Sequence, residues 1–269
     1  MPTQLRLRLL LPPQAELDHH FRDPSNRVAT VDRMRRAYIT ADEPFENALA
    51  QALEWAGDTA TIHVADTATV EDEELDTLGI PVTSSSRKSR FYGHPRGTVI
   101  AVGLNLAGVL DVERHSRPRG PLKATVDGLI VTDAYGPQPY TAHGQHHSAW
   151  ITAFDVDHLG GTAIPAVASA PAALRAAIRH LTTRIAVRNQ GLIDKRERHA
   201  AVHALTYLRD AGHPLDPDAL MIEALRNEWG GNGPEDLRQI AVDLQHKNLK
   251  YDKNRVTTEQ LRQWAATTY

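Results

Sequence analysis

Histidine offers the most chemistry in this chain, and it is densest between residues 143 and 158. There His143, Gly144, Gln145, His146 and His147 are followed by Asp155, Asp157 and His158. With no cysteine among its 269 residues, the chain has no thiolate for zinc, iron–sulfur clusters, disulfides or nucleophilic attack, which leaves imidazole and carboxylate as metal ligands. A glycine-containing loop can turn several such groups toward one ion. His143, His146, His147, Asp155, Asp157 and His158 therefore form a candidate site for a divalent transition metal, and the matching chemistry is metal-dependent hydrolysis of a phosphodiester, as in a nuclease. The spacing follows no established signature. It lacks the His-x-His with an apolar middle residue seen in replication nucleases and the Asp-x-[DN]-x-[DN]-Gly of a calcium loop. Read as scaffold alone, the stretch is a polar, solvated loop between two strands, with Asp155 and Asp157 as turn or cap residues.

The second candidate is Ser84 to His94, which sets Arg87, Lys88 and Arg90 beside Phe91 and Tyr92. Cations interleaved with aromatic rings are what phosphate contact and base stacking require. Arg117 and Arg119, in the run Glu113 to Arg119, add charge to the same edge if both stretches lie at one end of a sheet. The Gly-x-x-x-x-Gly-Lys-[ST] frame of a phosphate-binding loop is absent, since the glycine follows the lysine. The ligand implied is a phosphorylated small molecule or nucleic acid, and the alternative is a solvated loop that aids solubility.

Two further groups have weaker claims. His199 and His203 stand four residues apart in His-Ala-Ala-Val-His, a spacing that puts both on one helical face. A zinc protease needs Glu at position 200 and this chain has Ala200, so an exposed helical face is expected. The stretch His246 to Arg255 carries Lys247, Lys250 and Lys253, and is read as cations complementing a helix C-terminus. His199 to Trp229 has the loose outline of a helix-turn-helix, without an identifiable recognition helix. Neither a Gly-x-Ser-x-Gly elbow nor a Gly-x-Gly-x-x-Gly dinucleotide fingerprint is present.

These residues must be held by elements, and periodicity supplies them. Leu5 to Leu11 alternates Leu with Arg before Pro12 and Pro13, the pattern of a half-buried strand. Val28 to Ile39 fits helix or strand equally. Pro44 opens a helix with Phe45, Leu49 and Leu53 on one stripe, closed at Gly57. Thr59 to Ala65 alternates as a strand, and Glu71 to Asp76 begins a short helix or turn. Thr98 to Gly103 is a strand, Asn105 to Val112 a helix, and Leu129 to Thr132 and Trp150 to Phe154 are two more strands. Helical period then prevails. Stripes through Leu174 to Ile185, Val202 to Leu208, Leu220 to Trp229, Leu237 to Leu244 and Leu261 to Trp264 start at caps such as Asp216 with Pro217 and Thr257 with Gln260.

The expected fold class is thus an α/β or α+β N-terminal domain, residues 1–168, with a mixed sheet and flanking helices. An all-α C-terminal module of about five helices, residues 171–269, follows it. The connections look too irregular to assert a parallel sheet. A net charge of -3 gives no global basic field for nucleic acid or anionic membrane. No apolar run approaches the ~20 residues of a membrane span, and the N-terminus lacks a signal-peptide core, so a cytoplasmic location is expected. The preponderance of Arg, 24 against 6 Lys, suggests a bacterial source with a GC-rich genome. Three functions stay open: a binding or regulatory protein for a phosphate-bearing ligand or nucleic acid, a metal-dependent hydrolase using the histidine stretch, and a scaffold whose helical module binds a protein partner without catalysis.

Overall fold

Short segments rich in β-branched or small apolar residues, such as Ala60–Val64, Gly97–Val102 and Val126–Thr132, are strands. The computed structural model describes residues 34–116, 125–134, 141–165, 167–183, 192 and 194–268, the side chains of 141–146 excepted. The strands are β1 (Arg35–Ile39), β2 (Ala60–Val64), β3 (Val82–Ser84), β4 (Gly97–Val102), β5 (Val126–Thr132) and β6 (Asp157–Gly160). They form one sheet in the order β3-β2-β4-β5-β1-β6, and every neighbouring pair is parallel. The irregular connections therefore conceal a wholly parallel sheet. The strand expected at Leu5 to Leu11 lies outside the described residues.

Four helices flank the strands: α1 (Phe45–Ala56), α2 (Thr67–Asp72), α3 (Leu106–Arg114) and α4 (Thr141–Ala153). The crossovers from β1 to β2 and β2 to β3 step one way along the sheet, through α1 and α2. Those from β4 to β5 and β5 to β6 step the other way, through α3 and α4. Because parallel crossovers share one hand, opposite steps put their helices on opposite faces. The two cores agree. Ala48, Ala52 and Val70 pack with Ile39, Ile62, Ile100 and Ile130 on one face; Leu106, Val109 and Trp150 pack with Tyr38, Val99, Leu129 and Val131 on the other. In α1 Ala48, Ala52 and Ala56 are buried, while Phe45, Leu49 and Leu53 are only partly so.

The strand expected at Trp150 to Phe154 is instead the end of α4 and the turn after it. His147, Trp150, Ile151 and Phe154 recur at intervals of three and four, which is a helical stripe. The short apolar run Trp-Ile-Thr-Ala-Phe hides that period when read alone. The polar loop expected before it is helix as well.

Among the described residues, five further helices follow: α5 (Ala172–Thr182), α6 (Lys195–Asp210), α7 (Pro217–Arg226), α8 (Gly233–His246) and α9 (Thr258–Ala265). The caps are those the sequence indicates, with Asp216 accepting from Ala219 N–H at 3.1 Å and Thr257 from Gln260 N–H at 3.3 Å. A third core, including Leu174, Leu205, Leu220 and Trp264, binds these helices together. Helix α7 serves two cores. Its Leu220 and Ala224 face the helical module, and its Met221, Ile222 and Leu225 join the sheet-side core with Trp150. Among the described residues, no helix is long and apolar enough to cross a membrane.

Candidate functional site at the carboxyl edge of the sheet

In a parallel sheet every strand ends on the same edge, and ligands gather where neighbouring chains leave in opposite directions. Here β2 and β4 are neighbours whose crossovers diverge, and β5 and β1 are neighbours whose crossovers depart to opposite faces. Polar residues concentrate at these strand ends.

Asp133 follows β5 directly, and its backbone N–H donates to Ile39 O at 3.0 Å, tying it to β1. Its Oδ1 lies 2.6 Å from Nδ1 of His147, in the second turn of α4. His147 is 1 % exposed, and its Nε2 is buried without a hydrogen-bond partner among the described residues. A carboxylate on Nδ1 holds the proton there and leaves Nε2 with its lone pair, the state suited to a general base or a metal ligand. An unpartnered buried imidazole nitrogen costs stability unless something uses it.

Beside it, the end of β1 is fastened to the chain leaving β6. Thr40 donates to Asp42 at 2.6 Å, Thr162 donates to Asp42 through its hydroxyl at 2.6 Å and its backbone N–H, and Gly161 N–H donates to Glu43 at 3.2 Å. The hydroxyl of Thr162, followed by that of Thr40, pulls the Asp42 carboxyl well below the usual carboxylate range. Gly161 has φ 77° and no space for a Cβ, which would press on Thr40 Oγ1. These oxygens are engaged with one another, so the cluster is a clasp.

Asp155, Asp157 and His158 do not meet His147. Asp155 is exposed past the end of α4, two turns and about 12 Å along from His147. Asp157 accepts from the Trp55 indole at 3.2 Å. His158 stacks on Tyr38 at 4.8 Å and bonds Gly160 O at 3.0 Å. Positions 143 and 146 lie in the first turns of α4, and their side chains fall outside the description. Among the described residues no group of three His, Asp or Glu is placed to hold a metal ion. Within this stretch, Nε2 of His147 is a buried donor with no partner among the described residues.

The basic stretch forms a closed loop at the end of β3. Ser84 N–H donates to Phe91 O at 2.8 Å, Gly93 N–H to Ser84 O at 3.3 Å and Ser85 N–H to Val64 O at 3.1 Å. Arg87 and Lys88 are exposed, and among the described residues no carboxylate pairs with either. Arg90 differs. It reaches Asp76 at 3.2 Å and Glu71 at 3.7 Å and lies over Phe91 at 4.7 Å. Phe91 itself packs against a core, which leaves Tyr92, 51 % exposed, as the ring available for stacking. Arg117 and Arg119 lie outside the described residues. Their flanks, Ser116 and Thr125, stand at the amino edge, where Thr125 N–H donates to His115 O at 2.9 Å. That is the opposite end of the sheet from the Arg87 loop.

Sequence reasoning passed over His63. It sits in β2, 4 % exposed, with Nδ1 at 2.8 Å from Thr83 Oγ1 and Nε2 at 2.9 Å from Ser85 Oγ. Burial, opposed by Asp111 and assisted by His115 and His94, pushes its pKa down to about 4. Alternation in Thr-Ala-Thr-Ile-His-Val-Ala puts it on a strand face, but nothing in the spacing ties it to Ser85.

In the helical module, His203 is 7 % exposed and stacks on Tyr251 at 5.1 Å, which corrects the exposed face expected for it. Burial lowers its pKa. His199 accepts from Asp252 N–H at 3.3 Å and, with Asp194, Lys195, Arg196, Asp252 and Arg255, lines a cleft of about 440 Å³. The basic linker thus packs back on α6. Residues 219–225 of α7 are all buried, so α7 has no free face to read a DNA groove.

A family model described as a domain of unknown function, DUF1889, matches residues 170–265, the span of α5 to α9. No curated protein and no solved structure matches the chain.

Proposed function

We propose that this protein is a hydrolase of phosphate-bearing molecules, working at the carboxyl edge of its sheet with His147 as the base and Asp133 as the residue that orients it. The observation that carries the reading is the buried, unpartnered Nε2 of His147, held by a 2.6 Å contact between Nδ1 and Asp133. A buried lone pair backed by a carboxylate can take a proton from an attacking water. The loop bearing Arg87 and Lys88 stands at the same edge, three strands from β5 and so about 14 Å away. That separation suits an extended substrate whose phosphate is received by the loop. A divalent ion bound at Nε2 would instead activate the water directly, and position 143, one helical turn before 147, is the next place for a ligand.

The test is hydrolysis of bis(p-nitrophenyl) phosphate and p-nitrophenyl phosphate, with and without added zinc or manganese. The wild-type protein is expected to turn over at least one of them. His147→Ala should lose about 100-fold or more, the scale of a missing general base, while near-UV circular dichroism stays native. Equal rates in wild type and His147→Ala would overturn the assignment.

A second reading is ligand binding without chemistry, supported by the two exposed cations Arg87 and Lys88. It expects Arg87→Ala with Lys88→Ala to abolish binding of a phosphorylated ligand and its salt dependence, and His147→Ala to leave binding unchanged.

A further inference from the structure

We propose that Ser85 is a catalytic nucleophile, activated by His63 and directed by Thr83, that attacks esters carrying a negative charge. The hydrogen-bond directions follow from the partners present. Thr83 Oγ1 lies 3.4 Å from Ile62 O, an atom that can only accept, so the hydroxyl proton of Thr83 points there. Thr83 Oγ1 is then the acceptor for Nδ1–H of His63 at 2.8 Å. That leaves Nε2 of His63 as a lone pair, and the Ser85 hydroxyl, 2.9 Å away, donates to it. A hydroxyl on a base whose other nitrogen is fixed by a third group is the arrangement of an activated serine, with threonine in the place more often held by a carboxylate.

The surroundings suit the role. Ser85 is exposed while His63 is buried, so the nucleophile faces solvent and the base does not. Ser85 is held at both sides: its own N–H donates to Val64 O at 3.1 Å, and Ser84 Oγ accepts from Ser86 N–H at 3.2 Å. Ser89 accepts from Thr67 at 2.7 Å and from Phe91 N–H at 3.1 Å, which pins the far side of the loop. Arg87 and Lys88 stand two and three residues beyond Ser85, where they can receive an anionic group of the substrate. The charged and titratable groups acting on His63 are Asp111 of α3, His115 at the C-cap of that helix and His94 of the segment before β4. Burial keeps the ring neutral at physiological pH, with the Nε2 lone pair facing the Ser85 hydroxyl.

In the reaction, Ser85 Oγ bonds to the ester carbonyl carbon and its proton passes to Nε2 of His63. The alcohol leaves with that proton as the carbon–oxygen bond breaks. Water then attacks the acyl-serine, gives its proton to His63, and releases the acid while Ser85 regains its hydroxyl. Labelling Ser85 reads no step taken by His147, so this inference and the one above fail independently.

The experiment uses the full chain and a fluorophosphonate. Ser85 Oγ displaces fluoride at phosphorus, fluoride leaves with the bonding electrons, and the proton goes through His63 to water. Peptide mapping by mass spectrometry is expected to find the adduct on Ser85 and not on Ser84, Ser86 or Ser89. His63→Gln should slow labelling about 100-fold, and Thr83→Val should slow it while the fold is retained. The wild-type rate should rise with pH to a plateau through an inflection near 4, where His63 titrates, a signature that a purely structural hydrogen bond would not give. Absence of an adduct on Ser85, or wild-type labelling in both His63→Gln and Thr83→Val, would overturn the proposal.

Discussion

The indole N–H of Trp150 donates at 3.1 Å to Oε1 of Glu113, the same oxygen that receives the Arg36 guanidinium at 2.7 Å. One buried carboxylate, with its side chain 5 % exposed, therefore fastens β1, α3 and α4 beneath the site, and Arg36 is further covered by Phe154 at 4.4 Å. Glu113→Ala removes the partner of a largely buried cation. Its cost is expected to be about 3–5 kcal/mol, read as a fall in the urea midpoint with unchanged slope. Glu113→Gln, which still accepts from Trp150, should cost clearly less. Equal losses for both would show that the charge contributes little.

Helix α7 belongs to both the helical and a sheet-side core, so the two should unfold together. Leu220→Ala, in the helical core, should lower stability by about 2–5 kcal/mol. Tryptophan fluorescence and far-ultraviolet circular dichroism should still trace one transition. Separate transitions for the two probes would show that the cores are energetically independent.

Gly97 opens β4 with φ 67°, and a Cβ there would press on the carbonyl of Thr59. Gly97→Ala combines a conformation that alanine resists with a backbone clash. About 1–3 kcal/mol should be lost, measurable by thermal denaturation. An unchanged midpoint would mean that the β2 and β4 starts shift apart without cost.

His63 makes stability depend on pH in a stated direction. Its folded pKa is pushed down to about 4 from the ordinary 6.5, so the unfolded chain binds a proton that the folded protein refuses. The contribution is fully present above pH 6.5 and is lost as pH falls from there toward 4, amounting to about 3 kcal/mol at most. Urea denaturation at pH 7 and pH 4.5 should show wild type losing more stability than His63→Leu. Parallel losses would mean that the ring gains a proton in the fold without penalty.

Much of this architecture was legible because it is local. Asp216 and Thr257 announce their helices through side chains that reach only two or three residues on. Thr98 to Gly103 and Leu129 to Thr132 announce strands because parallel strands buried on both faces read as short apolar runs. The same locality misled at Trp150 to Phe154, where the helical stripe shows only when His147 is counted as a buried position. Two strands escaped notice: β3 has three residues, and β6 (Asp-His-Leu-Gly) lacks apolar alternation and takes its form from pairing with β1. At the site, His147 was visible as one of a cluster, but its partner Asp133 lies 14 residues away in sequence and the connection is a tertiary one. Ser85 and His63 were invisible as a pair for the same reason, since only the parallel pairing of β2 with β3 sets them side by side.

The place of β1 in the sheet has a consequence for synthesis on the ribosome. Arg35 pairs with Gly128 and Ala37 with Asp157, so both neighbours of β1 are translated long after it. At roughly 5–20 residues per second, β1 is made roughly 5–20 s before β5 exists to receive it. Meanwhile the β2, β3 and β4 half can assemble behind it. Until β5 emerges, Ala37, Tyr38 and Ile39 form an unpaired apolar edge, the segment a chaperone would be expected to shield on the nascent chain.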